Sequence, residues 1–322
     1  MSWSAPGGPG RITGGGAVVA RAPAKINLHL AVGPLRADGF HELQTVYLAV
    51  SLYDSVTVRS GDGLVLTVTG EGAGPATGAD RVPTDRRNLV WRAAELLALR
   101  AGVSADAVIT IDKSIPAAAG LAGGSADAAA ALVALDALWG TRATRGDLAA
   151  LAAQLGSDVP FSLQGGVALG SGRGERLSPV LARRRWDWVL GIAGEGLSTP
   201  SVYAELDRLR EAGRVPDGAV LASPEPVISA LQSGPVSALA AALDNDLQAP
   251  ALALRPGLRR ALRAAKEAGA AGVLVSGSGP TVAALAADED AAVRLAAELA
   301  GAGVFRTVRA VHGPVPGARL VG

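Results

Sequence analysis

The feature that most constrains this chain is the run PAAAGLAGGSADAA at residues 116–129. It follows an alternating, β-branched stretch, VITIDKSI, which reads as a strand stopped by Pro116. It opens an alanine-rich helix that the pattern places at 125–139. The fold must therefore contain a strand, a glycine turn and a helix in immediate succession. Glycines let backbone N–H groups crowd round an anion, and a helix N-terminus adds a partial positive charge. Ser125 offers a hydroxyl to a phosphate or to a metal-bound water. Taken alone, the run fits a phosphate cradle or a glycine loop whose helix merely needs a cap. It is not a Walker A loop, because no Gly-Lys-Ser/Thr ends it. It is not a dinucleotide fingerprint either, because G-x-G-x-x-G is absent there.

Around that unit the chain alternates strands and helices. Residues 18–33 read as a strand interrupted at Pro23, and 33–42 as a turn-rich loop. Residues 43–59 and 63–69 read as strands, and 71–87 as a loop. Asn88 is placed to cap a helix that ends at Gly102, and Asp147 to cap another. SDVPFSLQGGVALGSGRGE reads as strand with glycine turns. Beyond it come a strand at 186–194, helices near 201–212, 226–232, 236–242 and 256–268, a strand–loop unit at 271–286, a helix at 288–302 and a strand at 304–311. The whole reads as α+β.

A length of 322 residues suits one large or two medium domains. The Arg-rich stretch 183–185 is the expected boundary, giving 18–182 and 183–322. Residues 1–17 are Gly/Pro-rich without an apolar h-region and read as a disordered extension, not a signal peptide. A net charge of +1 offers no bulk attraction to nucleic acid or an anionic membrane. The chain has no Cys, which excludes disulfides, thiolate catalysis and Cys-based metal sites, and fits a cytoplasmic location. No apolar run approaches the roughly 20 residues that span a bilayer.

Of 30 basic residues only three are lysines, Lys25, Lys113 and Lys266. A chain that so prefers Arg makes each Lys worth a question. Lys25 sits in an apolar strand, where an ammonium is costly unless paired. It reads as a functional lysine or a snorkelling one. Asn27, two residues on, shares its face. Asp158 reads as a turn former, or, if Lys25 lies beside it, as a base for a hydroxyl nucleophile. His41, beside Phe40 in the expected loop, is a surface histidine or a reader of a planar ligand. Three scattered histidines give no zinc spacing. SGSGPT (276–281) lines the same cleft or is a tight βα turn.

Together and in this order, Pro23-Ala-Lys25-Ile-Asn27, the run from Pro116 to Ser125, and Gly277-Ser-Gly279-Pro resemble the GHMP kinase superfamily. The strings PAKINLHLAVG, RADGFHELQTV, RNLVWRAAELL, IDKSIPAAAGLAGGSADAAAAL, LGSDVPFSLQGGVALGSGRGE and VSGSGPT carry the likeness over about residues 18–318. They match best the branch that phosphorylates the 2-hydroxyl of 4-diphosphocytidyl-2-C-methyl-D-erythritol in the non-mevalonate isoprenoid pathway. The resemblance implies a two-domain fold, with an N-terminal domain like ribosomal S5 domain 2, a ferredoxin-like C-terminal domain and a cleft between them. It implies ATP as co-substrate with Mg²⁺, and Lys25 and Asp158 as the catalytic pair. It implies that Pro116, Ala117, Ala118, Ala119, Gly120, Leu121, Ala122, Gly123, Gly124, Ser125 and Ala126 hold the phosphates, with Asn88 and Lys113 approaching the nucleotide. Phe40, His41 and Tyr203 would hold cytidine, and Asn27 and Thr199 the rest of the acceptor.

Two positions depart from the family pattern. Phe40 stands where Tyr is usual, so stacking survives and a hydroxyl contact does not. Ala122 stands where Gly is usual, so its φ should be negative or the loop shifted. No carboxylate stands out as a metal ligand, which leaves Ser125 and water. The partner is a small molecule, without nucleic acid or membrane, and the chain is a monomer or homodimer. Other acceptors in the same superfamily, mevalonate-like or homoserine-like, lack a base for Phe40 and Tyr203 to stack on. A non-catalytic S5-like RNA-binding protein would need basic patches interleaved with aromatics, and aromatics are only 3% of this chain.

Overall fold

The computed structural model describes residues 16–71, 82–194 and 196–321. Most of the expected extension at 1–17, and of the expected loop at 71–87, lies outside them. Strands β1 (Val18–Leu35) and β2 (His41–Arg59) form a long antiparallel hairpin. Pro23 does not interrupt β1. The strand passes through it with a register shift between Pro23 and Ala24, because a residue without an N–H can bulge the ladder rather than end it. Strand β3 (Leu64–Gly70) is followed by helix α1 (Leu89–Ala101) and then β4 (Ala107–Lys113), which runs parallel to β3 and antiparallel to β2. Asn88 caps α1 as expected, accepting from the Val90 N–H at 2.8 Å, and Gly102 closes it in the left-handed conformation.

Helix α2 (Gly123–Trp139) follows the glycine run and begins two residues before Ser125. Ten of its residues are buried, most of them alanines, so it packs closely against β1, β2 and α1. Helix α3 (Arg145–Leu155) is capped by Thr144, with Asp147 at the third position completing a capping box. The expected cap was Asp147, so the true start is three residues earlier.

SDVPFSLQ is not strand. It forms helix α4 (Val159–Gln164), with Pro160 in the first turn, where a missing N–H costs nothing. Strands β5 (Val167–Gly172) and β6 (Arg176–Pro179) complete the first half, β5 pairing with β2.

The second half holds β7 (Trp186–Ile192), α5 (Thr199–Glu211), α6 (Glu225–Ser233), α7 (Val236–Ala242), β8 (Asp244–Asn245), α8 (Gln248–Leu254), α9 (Leu258–Glu267), β9 (Gly272–Val275), β10 (Thr281–Leu285), α10 (Glu289–Gly301) and β11 (Thr307–Gly313). Four of these strands form an antiparallel sheet in the order β11-β7-β10-β9. One face, with Val189, Val275 and Ala284, is covered by α5, α9 and α10. The other, with Trp188, Leu190 and Leu285, joins the core of the first half. A sheet covered on both faces needs apolar residues on both, which is why every residue of WDWVLGI is buried. Strand β12 (Arg319–Leu320) returns to pair with β1, and β8 also pairs with β1. The boundary expected at 183–185 falls between β6 and β7.

Candidate active site

A cleft of about 710 Å³ opens between the two halves. β1 contributes Lys25 and Asn27 to it, and the glycine run crosses β1 there, the Lys25 N–H donating to the Leu121 carbonyl at 3.1 Å. Lys25 is buried. Its ammonium donates to Asn27 Oδ1 at 2.7 Å and to the Gly120 carbonyl at 3.1 Å, and lies 3.9 Å from Asp158 Oδ2. Burial pulls its pKa below the ordinary lysine value, with the Asp158 charge acting in the opposite direction. Asn27 in turn donates to Thr45, whose hydroxyl donates to the His29 carbonyl, so the pair on β1 is fixed by the strand beside it. Asp158 is the residue before α4.

The glycine run wraps over Lys25 and against the second glycine loop. Gly120 has φ +76°, and a Cβ there would lie 2.4 Å from the Ser276 carbonyl oxygen, so only glycine fits. Ser276 donates to the Gly120 carbonyl at 3.3 Å and Thr281 to the Ala119 carbonyl at 2.6 Å. A Cβ on Gly277 would approach Asn27 and Lys25 to 3.1 and 3.3 Å. SGSGPT therefore lines the cleft and is not merely a turn.

Ala122 differs from expectation. Its φ is +58° and not negative, and Ala118 has φ +50°. The run thus holds two alanines in left-handed backbone, at about 1–2 kcal/mol each. That conformation turns the chain so that Gly123, Gly124 and Ser125 face the cleft at the start of α2.

Of the residues expected at the nucleotide, Ala118, Ala119, Gly120, Ala122, Gly123, Gly124 and Ser125 line the cleft. Pro116, Ala117, Leu121 and Ala126 do not line it, and all but Ala117 are buried. Asn88 and Lys113 do not line it. Asn88 is engaged with the Val90 N–H and the Pro83 carbonyl. The Lys113 ammonium is buried beneath the run, paired with Asp54 and, at 2.8 Å, with Asp127. Burial works against its charge, but the two carboxylates outweigh it and hold its pKa above the ordinary value. A Cβ on Gly123 would come within 3.0 Å of this ammonium.

Phe40, His41, Tyr203 and Thr199 line the same cleft. His41 is the first residue of β2 and is buried, not in a loop. Its Nε2 lies 2.9 Å from Asp207, and its ring sits 5.1 Å from that of Tyr203. Phe40 is half exposed, with the Arg173 guanidinium 4.7 Å over its ring. Thr199 bonds Ser278 at 3.0 Å.

Sequence reasoning missed Tyr47, Asp207 and Arg173. Tyr47 stands opposite Asn27 in the β1–β2 register, and its hydroxyl donates to Asp158 Oδ1 at 3.1 Å. The signal was the glycine spacing in ALGSGRG, whose cause is a neighbouring ring. Among the described residues no cluster of acidic, His or Cys side chains suits a metal ion, and no helix is long and apolar enough to cross a membrane.

The chain is similar to known proteins over most of its length. A model described as GHMP kinases N terminal domain matches residues 88–166, and one described as GHMP kinases C terminal matches 227–304. A Rhodococcus jostii (strain RHA1) protein named 4-diphosphocytidyl-2-C-methyl-D-erythritol kinase is 59% identical over 304 residues, 94% of this chain and 95% of its own. A protein of the same name from Mycobacterium tuberculosis (strain H37Rv) is 56% identical over 306 residues, 95% of this chain and 93% of its own. A crystal structure of 4-(cytidine 5'-diphospho)-2C-methyl-D-erythritol kinase has a TM-score of 0.72 at 35% identity, covering 94% of this chain and 99% of that one. A homoserine kinase from Cytophaga hutchinsonii shares the fold, with a TM-score of 0.69 at 21% identity over 95% of this chain and 97% of that one.

Proposed function

The chain belongs to the GHMP kinase family, in its 4-diphosphocytidyl-2-C-methyl-D-erythritol kinase branch, and from that premise we propose that it transfers the γ-phosphoryl of ATP to the 2-hydroxyl of 4-diphosphocytidyl-2-C-methyl-D-erythritol. The observation that carries the reading is one cleft lined by a glycine run at the start of a helix, a Lys–Asp pair beside that run, and an aromatic–histidine group.

In this reading Asp158 accepts the proton of the 2-hydroxyl as the oxygen attacks phosphorus, and the bond from phosphorus to the ADP oxygen breaks. Lys25, held by Asn27 and Gly120, keeps the carboxylate paired and places positive charge beside the transferring group. Phosphoryl transfer needs mainly positioning and charge stabilisation. The N–H groups at the start of α2 supply part of the latter. At the other end, Asp207 orients His41 against the polar edge of cytosine, and Phe40 and Tyr203 wall its faces. Asn27 and Thr199 face the remainder of the acceptor.

Mg²⁺ accompanies ATP in this proposal. The cleft offers Ser125, whose hydroxyl makes no hydrogen bond among the described residues. That thin oxygen set fits an ion held mostly by phosphates and water, whose chemistry is to neutralise phosphate charge. The proposed setting is the cytoplasm, as a monomer or homodimer acting on a small molecule, with neither nucleic acid nor membrane.

The test is ADP release with the cytidyl substrate, mevalonate and homoserine side by side. The cytidyl substrate alone should give turnover. Turnover of mevalonate or homoserine without it would overturn the acceptor assignment in favour of another GHMP kinase activity.

A further inference from the structure

An Asp at the start of a helix ordinarily turns its carboxylate onto the N–H groups of its own first turn. Asp158 precedes α4 and makes no such bond. Among the described residues its carboxylate has one hydrogen bond, at Oδ1, from the Tyr47 hydroxyl, while Oδ2 lies toward Lys25. Tyr47 is itself held closely. It is buried, and its ring stacks on Phe161 of α4 with centroids 4.8 Å apart. Its niche is cut by Gly170 of β5 and Gly174 of the β5–β6 turn. A Cβ on Gly170 would lie 2.7 Å from the ring, and one on Gly174 would lie 2.3 Å from the hydroxyl oxygen. Gly170 has no positive φ to require glycine, so the space for Tyr47 is what requires it.

We infer that Tyr47 is a positioning residue for the proton acceptor: it draws the Asp158 carboxylate away from its own helix and fixes Oδ1, so that Oδ2 is presented to Lys25 and the incoming hydroxyl. The inference rests on the reading of Asp158 as the base. Tyr47 does not compete for that role. Burial first, and then the charge of Asp158, push its own ionisation well above the ordinary tyrosine range, so it stays a donor.

The experiment is steady-state kinetics with ATP and the cytidyl substrate for Tyr47→Phe, Asp158→Asn and the double variant. Tyr47→Phe keeps the ring and its stack on Phe161. It is expected to lower kcat about tenfold, the value of one hydrogen bond to a carboxylate, and to leave both KM values within about twofold. Because Tyr47 acts through Asp158, the double variant should be no slower than Asp158→Asn alone. If Asp158→Asn is inactive while Tyr47→Phe keeps the parent kcat, the inference fails and the base assignment stands. A rise in KM at constant kcat, or a double variant slower than Asp158→Asn by the full Tyr47→Phe factor, also overturns it. Near-parent turnover by Asp158→Asn removes the base assignment and this inference with it.

Discussion

Replacing Lys113 by Met should destabilise the fold far more than replacing the carboxylate beside it. Lys113, Asp54 and Asp127 meet under the glycine run with side-chain exposures of 1%, 0% and 2%. One ammonium there serves two carboxylates. Removing one partner of a buried ion pair costs roughly 3–5 kcal/mol. The loss should fall near the lower end, for two reasons. Asp54 keeps the Ser114 and Ile115 N–H groups at 2.7 and 2.8 Å. Burial already pushes the Asp127 carboxyl well above its ordinary range, with Lys113 opposing, so a proton can replace the missing charge there.

Lys113→Met should therefore cost about 3 kcal/mol. Asp127→Asn keeps the shape, and Oδ1 of Asp127 has no donor to lose, so it should cost about 1 kcal/mol or less. The pH dependence has a fixed sign. A raised folded-state pKa gives stability at acid pH that is lost as pH rises from the ordinary value of 3.8 through the folded one. The Asn variant lacks that loss, so it should gain on the parent as pH rises. Urea unfolding of the full chain at several pH values measures both effects. A Lys113→Met variant as stable as the parent, or an Asp127→Asn variant that is the costlier of the two, would refute the reasoning.

Ala122→Gly should raise the melting temperature by a degree or two. It relieves about 1–2 kcal/mol of left-handed strain against about 0.5–1 kcal/mol of added unfolded-chain entropy, and a lower midpoint would contradict the φ of +58°. Phe40→Ala should raise KM for the cytidyl substrate about fivefold with kcat little changed. That is the low end of base–aromatic stacking at about 1 kcal/mol, because Arg173 covers one face of the ring, and an unchanged KM would remove Phe40 from the cytidine site. If Lys25 acts as proposed, the alkaline limb of kcat should fall below the ordinary lysine value of 10.5, since burial lowers its pKa. A limb that does not move in Lys25→Arg would assign it elsewhere.

Much of the fold was legible because its signals are local. Asn88 before an apolar-periodic run and Gly102 after it mark α1 whatever surrounds them. The apolar run at 186–192 marks a covered strand. Where signals compete, the reading went astray. VPFSLQ is too short for its period to distinguish strand from helix, and Pro160 suits a first helical turn as well as a strand end. Thr144 and Asp147 both look like caps, and only the paired bonds of the capping box show which one is. β12 has two residues, and its place on β1 is a long-range contact with no local pattern.

The same division runs through the site. Lys25 announced itself as a lone lysine in an apolar strand. Tyr47 looked like one more residue of such a strand, since its partner Asp158 is 111 positions away. Lys113 had the same rarity as Lys25, yet its two carboxylates hold it under the loop. Residue scarcity flags a lysine without saying which side of the loop it occupies. The left-handed φ of Ala122 opposes its own residue preference, and only the surrounding packing can impose it.

The central claim is that one cleft holds ATP and a cytidyl acceptor so that phosphate lands on the 2-hydroxyl. The most direct measurement is the identity of the product after incubation with ATP, Mg²⁺ and 4-diphosphocytidyl-2-C-methyl-D-erythritol, read by phosphorus–proton correlation spectroscopy. The expected result is a new phosphate monoester on the C2 oxygen, formed in step with ADP. ADP formed without that ester, or an ester on another hydroxyl, would contradict the account.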